Sequence, residues 1–382
     1  MARVLVGVYM VRYPLGGMLS MGVQIVVGLR RLGHEVVVVE KSAWAASCFD
    51  PVRGEMTDDP AHGTAVVGDL LSRFGLAASW CFVDRGGRAH GMSEAGLRDA
   101  LATCDVFIDA GTHGQWLDDL GPRAATVLLD GEPGWTQMRW DLRRRDGLPT
   151  PVYDAYFTVG QNVGTPRSTV PTLGLHWRHA LYPVLVDEFA PLPPDRGAPF
   201  TTVMNWRAHD ALEYDGAVFG QKDAEFERFA ALPRLAGVAR FELAVAGRGV
   251  PRARLLAAGW RLRSAHEITA SYDAYREFVR RSRAEFSVAK HVFVATGSGW
   301  FGDRSAAYLA AGRPVVVQDT GIGARLPSGE GLFAVRDADE AAAAVERIEG
   351  DYARHSAAAR EIAREYLAPE RVLPPLLEAV GA

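Results

Sequence analysis

Lysine is scarce in this chain of 382 residues: Lys41, Lys222 and Lys290 stand against thirty-nine arginines. An ammonium retained amid such a bias is informative, because a compact point charge and a planar guanidinium are not interchangeable. Lys290 follows the apolar run Ala284–Val288 and enters the densest glycine-bearing stretch of the chain, FSVAKHVFVATGSGWFGDRSAAYLAAGRPVVVQDTGIGARLPSGEGLFAV over Phe286–Val335. Gly297, Ser298 and Gly299 there form a loop that lets a ligand approach backbone. Trp300 and Phe301 beside it either wall a site or anchor the loop in a core. A helix then opens at Gly302-Asp303-Arg304-Ser305, and helix-terminal amides carry roughly half a positive charge, which favours a phosphate. Arg304 opposes that dipole, an anomaly that a phosphate or carboxylate partner resolves. Asp303 reads as a helix cap before it reads as a ligand. Arg207, just after the run Thr201–Met204, is a further cation at a strand end.

The elements that must position these groups alternate between strand and helix. Arg3–Val8 reads as a strand, Leu19–Leu32 as an amphipathic helix stopped by Gly33, and Val36–Glu40 as the returning strand. Unbroken valine in such a unit predicts a parallel sheet covered on both faces. Asp105–Ile108, Thr126–Leu129 and Ala155–Val159 extend it, with helices over Gly63–Phe74 and Ser93–Leu101. The proline-rich segment 183–199 reads as a linker. Beyond it the alternation restarts: strands at Thr201–Met204, Phe241–Val245, Ala284–Val288 and Val315–Gln318, and helices at Ala224–Phe229, Ser271–Arg281 and Asp303–Ala311. Helices close the chain at Asp337–Glu349, Asp351–Tyr366 and Glu370–Val380. The expected architecture is α/β: two Rossmann-like doubly wound domains facing a central cleft, over 1–182 and 200–360, with C-terminal helix in 361–382 and its return to the first domain left open. Ligands of such folds bind at strand carboxyl ends.

Composition narrows the classes. With 48% hydrophobic and 23% charged residues the chain has ample material for cores. A net charge of −4 argues against a broad nucleic-acid surface. Cys48, Cys81 and Cys104 form no CxxC and no even framework, which suits a reducing compartment and disfavours a structural zinc site. No apolar run reaches the roughly 18 residues of a membrane span. A cytoplasmic protein, monomeric or homodimeric, is expected.

The string GWFGDRSAAYLAAGRPVVVQDTG at 299–321 resembles the donor-binding region of GT-B glycosyltransferases, and more narrowly bacterial nucleotide-sugar transferases. RLGHEVVVVE at 31–40, DGEPGWTQ at 130–137, VGQNVGTP at 159–166 and MNWR at 204–207 agree with that set in order and spacing. The resemblance implies transfer of a sugar from an ADP-, GDP-, UDP- or TDP-sugar to a small-molecule acceptor, with no obligatory metal and no other cofactor; the charge balance adds the expectation of no nucleic-acid partner. It implies a donor diphosphate met by Arg207, Lys290, Ser298, Gly299, Trp300, Phe301, Arg304 and Ser305. Asp319, Thr320 and Gly321 would bond sugar hydroxyls or simply form a turn. His266 would lie near the nucleobase, with a surface histidine as the plainer alternative, and Glu330 reads as part of a turn. The first domain would hold the acceptor and a general base, with His113, Asp109, Asp130 and Glu132 at strand ends as candidates. Gly16 and Gly17 would admit acceptor or sugar against backbone. Positions 299 and 307 lack the glutamates of the large retaining group, so inversion is expected. A nucleotide-sugar epimerase of the same fold and a non-catalytic nucleotide-sugar-binding helper are the alternatives. A nicotinamide oxidoreductase ranks last, since the first βα loop lacks GxGxxG.

Overall fold

The computed structural model describes residues 1–42, 44–237 and 239–382. Its first unit is β1 (Arg3–Gly7), α1 (Gly16–Arg31) and β2 (Glu35–Lys41). Val36 to Val39 are all buried, as a strand covered on both faces requires. Gly33 at φ +89° ends the helix in the left-handed conformation that favours glycine. With β3 (Trp80–Val83), β4 (Ala89–Gly91), β5 (Val106–Asp109), β6 (Ala125–Asp130), β7 (Ala155–Thr158) and β8 (Trp177–His179), the strand order is β8-β7-β6-β5-β1-β2-β3-β4. Every neighbouring pair is parallel except β3 with β4.

The second sheet comprises β9 (Phe200–Asn205), β10 (Phe241–Ala246), β11 (Arg261–Ser264), β12 (Ala284–Ser287), β13 (Val315–Gln318) and β14 (Leu332–Val335), in the order β11-β10-β9-β12-β13-β14 and parallel throughout. Strand order reverses between β9 and β12, where open α/β sheets accept ligands. The ladder there is short. β9 pairs with β12 only at Phe200–Ala284 and Thr201–Glu285, whereas it pairs with β10 along its whole length. Beyond that point the two strands part, and a side chain from elsewhere takes the carbonyl of Val203.

Five helices reach the space between the sheets: α2 (Trp135–Arg145), α3 (Lys222–Phe226), α4 (Tyr272–Arg281), α5 (His291–Ala295) and α6 (Asp303–Ala310). Neither α2 nor α5 is among the expected elements. α5 is built from His-Val-Phe-Val-Ala, whose branched and aromatic side chains read locally as strand. Strands β3, β4, β8, β11 and β14 are likewise unexpected; β11 alternates arginine with Leu262 and Ser264 at the sheet edge.

Segment 183–199 is more than a tether. Val184 and Phe189 enter one core and Leu185 another, and the amide of Leu185 donates to Gln24 Oε1 at 2.6 Å. The stretch from Pro191 onward is largely exposed. After the helix Tyr352–Tyr366, the chain returns to the first domain as α7 (Pro369–Val372) and α8 (Pro374–Glu378). The single helix expected over Glu370–Val380 is broken because Pro374 and Pro375 lack amide donors. Leu373, Leu376 and Leu377 complete the first core, and a Cβ on Gly28 of α1 would meet Leu373 Cδ1 at 2.8 Å.

Candidate functional site

Cations from three elements converge where β9 and β12 part. Lys290, at the N-cap of α5, donates to both carboxylate oxygens of Glu132 at 2.6 and 2.5 Å, across the boundary between domains. Lys222 opens α3, half-buried, and its ammonium forms no hydrogen bond or ion pair with any described residue. Desolvation first, then repulsion from Arg304 and Lys290, lowers its pKa to about 7. Arg304, in the first turn of α6, is held from below: Nε donates to Glu285 at 2.6 Å and Nη1 to the carbonyl of Val203 at 2.8 Å. Its anomaly is thus resolved by a buried carboxylate and a strand carbonyl, and it acts on the cleft chiefly through its field. Arg207 is exposed and pairs with Asp223, next to Lys222. His209 stacks on Trp135 of α2 with ring centroids 5.5 Å apart, and burial and the nearby Lys290 lower its pKa.

One buried carboxylate positions the two lysines. Glu225 of α3, 2% exposed, meets His291 Nδ1 at 2.6 Å, Arg228 at 3.1 Å and the amide of Gln318. Gln318 in turn accepts from the amide of Ala289 at 3.1 Å. Glu225 follows Lys222 on α3, and His291 and Ala289 flank Lys290, so α3, α5 and β13 are fixed as a unit. None of Lys222, His209, Glu225 or His291 was singled out from sequence. The signal for Lys222 was present, since the scarcity that marks Lys290 marks it equally.

The glycine loop does something other than expected. The amides of Gly297, Ser298 and Gly299 donate to the carbonyls of Val294, Phe293 and Thr320. On the other side, the first-domain segment 160–169 docks into the loop. The amides of Gln161 and Asn162 donate to the carbonyls of Gly299 and Ser298, and Asn162 Nδ2 donates to the carbonyls of Gly297 and Gly321 at 3.1 Å each. A Cβ on Gly299 would lie 2.9 Å from the Asn162 amide, and one on Gly321 2.5 Å from Asn162 Nδ2. These glycines make room for the partner domain, and the Gly299 amide, expected at a phosphate, is spent on the Thr320 carbonyl. Ser298, Phe301, Ser305 and Thr320 are buried and support the loop. Asp319 accepts from the amide of Gly321 at 2.8 Å, the turn its sequence allowed. Trp300 stacks on Phe293 at 4.9 Å. Asp303 receives amides of its own helix end, and burial pushes its pKa up against the pull of Arg304 and Lys222. The N-terminus of α6 is therefore already met by a carboxyl group of its own.

The first-domain candidates separate sharply. Asp109, fully buried, accepts from the amides of Gly111, Thr112, His113 and Gly114, from Thr112 Oγ1 and from the Tyr153 hydroxyl. Asp130 accepts from the Glu132 amide, Thr136, Gln137 and Thr158, and burial raises its pKa. Both shape the loops after β5 and β6 and have no oxygen to spare for a substrate proton. His113 is exposed at φ +52°, with no ring hydrogen bond among the described residues. Glu132 alone of these faces the cations. Gly16 is glycine because α4 packs there, a Cβ falling 2.4 Å from that of Tyr275; Gly17 has no such neighbour nearer than 4.0 Å. His266, exposed as the plainer alternative has it, stacks on Phe49 of the first domain at 5.6 Å. Glu330 forms a surface ion pair with Arg354.

Asp109→Asn is expected to cost about 3 kcal/mol of stability, because it turns an amide N–H2 toward hydrogen-bond donors in a buried loop. A lower melting temperature with unchanged nucleotide affinity is the expected result. Lost turnover at unchanged melting temperature would restore Asp109 as a base.

Comparison with solved structures places this arrangement. Anabaena Alr3699/HepE in complex with UDP-glucose superposes with a TM-score of 0.60 at 11% identity, covering 99% of each chain. This is the GT-B fold. An alpha-glucosyltransferase in complex with UDP and a 13-mer DNA containing a HMU base matches at 0.59 and 9% identity over 100% of both chains. A glycosyltransferase from Rickettsia africae ESF-5 matches at 0.50 and 12%, covering 100% of this chain and 99% of that one. No family model and no curated protein matches the sequence. The exclusion of nucleic acid from net charge is corrected by the DNA complex: a GT-B chain can present a surface to DNA, so overall charge does not rule that partner out. Among the described residues no helix is long and apolar enough to cross a membrane, and no group of three or more His, Cys, Asp or Glu is placed to hold a metal ion.

Proposed function

We propose that the chain transfers a sugar from a nucleoside-diphosphate sugar to an acceptor hydroxyl, with the diphosphate seated between Lys222, Lys290 and Arg207 in the field of Arg304. The observation that carries this is the Lys222 ammonium, without a hydrogen-bond or ion-pair partner among the described residues, beside two further cations at the strand-order reversal of the second sheet. Like charges are held together there at a cost that an anion relieves. The glycine-loop amides are already engaged, so side chains supply the grip.

In the reaction proposed, the acceptor oxygen bonds to the anomeric carbon as its proton passes to Glu132. The bond from that carbon to the diphosphate oxygen breaks, and its electron pair leaves with the diphosphate, where the lysines stabilise it. A base on one domain and leaving-group cations on the other suit a single displacement with inversion. Glu132 is preferred over Asp109 and Asp130 because their oxygens are saturated by loop donors.

Thermal melting with UDP, GDP, ADP and TDP tests donor binding. A ligand at 100 times its Kd adds about 2.7 kcal/mol, a shift of several degrees. One nucleoside diphosphate is expected to stabilise, and Lys290→Ala and Arg207→Ala to weaken it. No shift with any of the four would sink the assignment. Analysis of the sugar after incubation with donor alone distinguishes epimerisation, which alters it without an acceptor.

A further inference from the structure

An ion pair joins the two domains at the cation cluster. Glu132 and Lys290 belong to different domains, and one ammonium serves both oxygens of one carboxylate. The Lys290 side chain is 12% exposed and that of Glu132 39%. Three residues on, Trp135 lies on the ring of His209, so two contacts bridge the domains side by side. A cavity at the carboxyl ends of β12 and β13, lined by Ser287, Trp300 and Gln318, measures about 10 Å³, room for one water. Lys290 is thus held by a carboxylate from the other domain, while the nearby Lys222 has no ion pair among the described residues.

We infer that Glu132 is an intramolecular stand-in for the donor's diphosphate. It occupies Lys290, and the arriving diphosphate displaces it. This rests on the donor site proposed above and adds an order to it. Donor must enter first, because until it does Glu132 is bound to Lys290 and unable to take an acceptor proton. The arithmetic suits a switch. A partly exposed ion pair contributes up to about 1 kcal/mol, or about fivefold in an equilibrium. That adds one modest contact to those already joining the domains, such as Asn162 to the carbonyls of Gly297 and Gly321, and it yields to a ligand carrying two or three charges and meeting a second ammonium that no described residue pairs. The same displacement turns Glu132 toward the acceptor side, so opening the donor site and freeing the proton acceptor are one event.

The test is isothermal titration calorimetry on the full chain, with UDP and, separately, inorganic pyrophosphate, which has neither base nor sugar. Glu132→Gln keeps size and removes the charge that competes with phosphate. Both probes are expected to bind up to about fivefold more tightly to it than to the wild type, pyrophosphate included because competition is at the phosphate positions. Glu132→Asp, which keeps the charge on a shorter arm, should tighten binding less, and it serves if the glutamine variant does not fold. Binding to wild type with no gain in either variant overturns the stand-in and leaves the donor site intact. Failure of wild type and variants alike to bind UDP, GDP, ADP, TDP or pyrophosphate overturns both.

Discussion

Lys222→Met is expected to weaken nucleoside-diphosphate binding by about tenfold to a hundredfold and to abolish the proton uptake that accompanies it near pH 8. In the empty protein the Lys222 pKa stands at about 7 against an ordinary 10.5, so at pH 8 roughly nine molecules in ten carry it neutral. A diphosphate beside the amine favours the charged form and raises that pKa, so binding draws in a proton. The affinity of the wild type should then fall as pH rises from about 7 until the pKa of the bound state is passed. Calorimetry in two buffers of different ionisation enthalpy reads the uptake directly, and the methionine variant should show none. Stability carries the same signature with its own sign. Between pH 7 and 10.5 the unfolded chain holds a proton that the folded one has released, so this residue makes stability rise with pH across that window. Below pH 7 both states are charged and the folded state bears the full cost of crowding an ammonium against Arg304 and Lys290. The methionine variant should therefore be more stable than wild type at pH 6 and lose that advantage toward pH 10. Equal proton uptake by the two proteins would show that another group titrates on binding.

What the sequence disclosed follows from which forces are local. The valine runs of β1, β2 and β13, and the stops at Gly33 and Gly312, are written in adjacent residues, and the two-domain α/β plan follows from them. The short edge strands β8 and β11 and the helix α5 are held by tertiary partners that override local preference. At the site the same division applies. Positive φ at Gly297, Gly299 and Gly321 explains why glycine is required. A glycine reports that something comes close, however, and not what it is: here it is Asn162 of the other domain, 135 and 159 positions away from the carbonyls it bonds. Asp109 and Asp130 stand at strand ends as catalytic carboxylates often do, but six and four donors converge on them, and those donors come from loops whose conformation the sequence does not display. Lys290 was legible by scarcity and position. Lys222, equally scarce, went unread because it sits at the start of a short helix rather than directly after a strand.

The second large effect concerns the floor of the cleft rather than its opening. Arg304→Met should lower the stability of the second domain by about 3–5 kcal/mol, a fall in its melting transition of roughly 10 °C, with no ligand present. Glu285 is fully buried on the central strand, and methionine would leave its carboxylate without the guanidinium 2.6 Å away. The Val203 carbonyl, just past the point where β9 and β12 cease to pair, would lose its donor as well. Lysine is not an adequate substitute, because one ammonium cannot reproduce a planar fork that reaches Glu285 with Nε and Val203 with Nη1. Glu285→Gln in the Arg304→Met background should recover part of the loss, since what costs most is an unpaired buried charge rather than a missing contact. The pair of single variants and the double variant form a cycle whose coupling should exceed that of the exposed Arg207–Asp223 pair. A double variant no more stable than Arg304→Met would mean that the loss arises elsewhere, at the Val203 carbonyl or in the packing of α6. Such a result would separate two roles now joined in Arg304: closing the gap between two diverging strands, and placing a positive charge beneath the lysines.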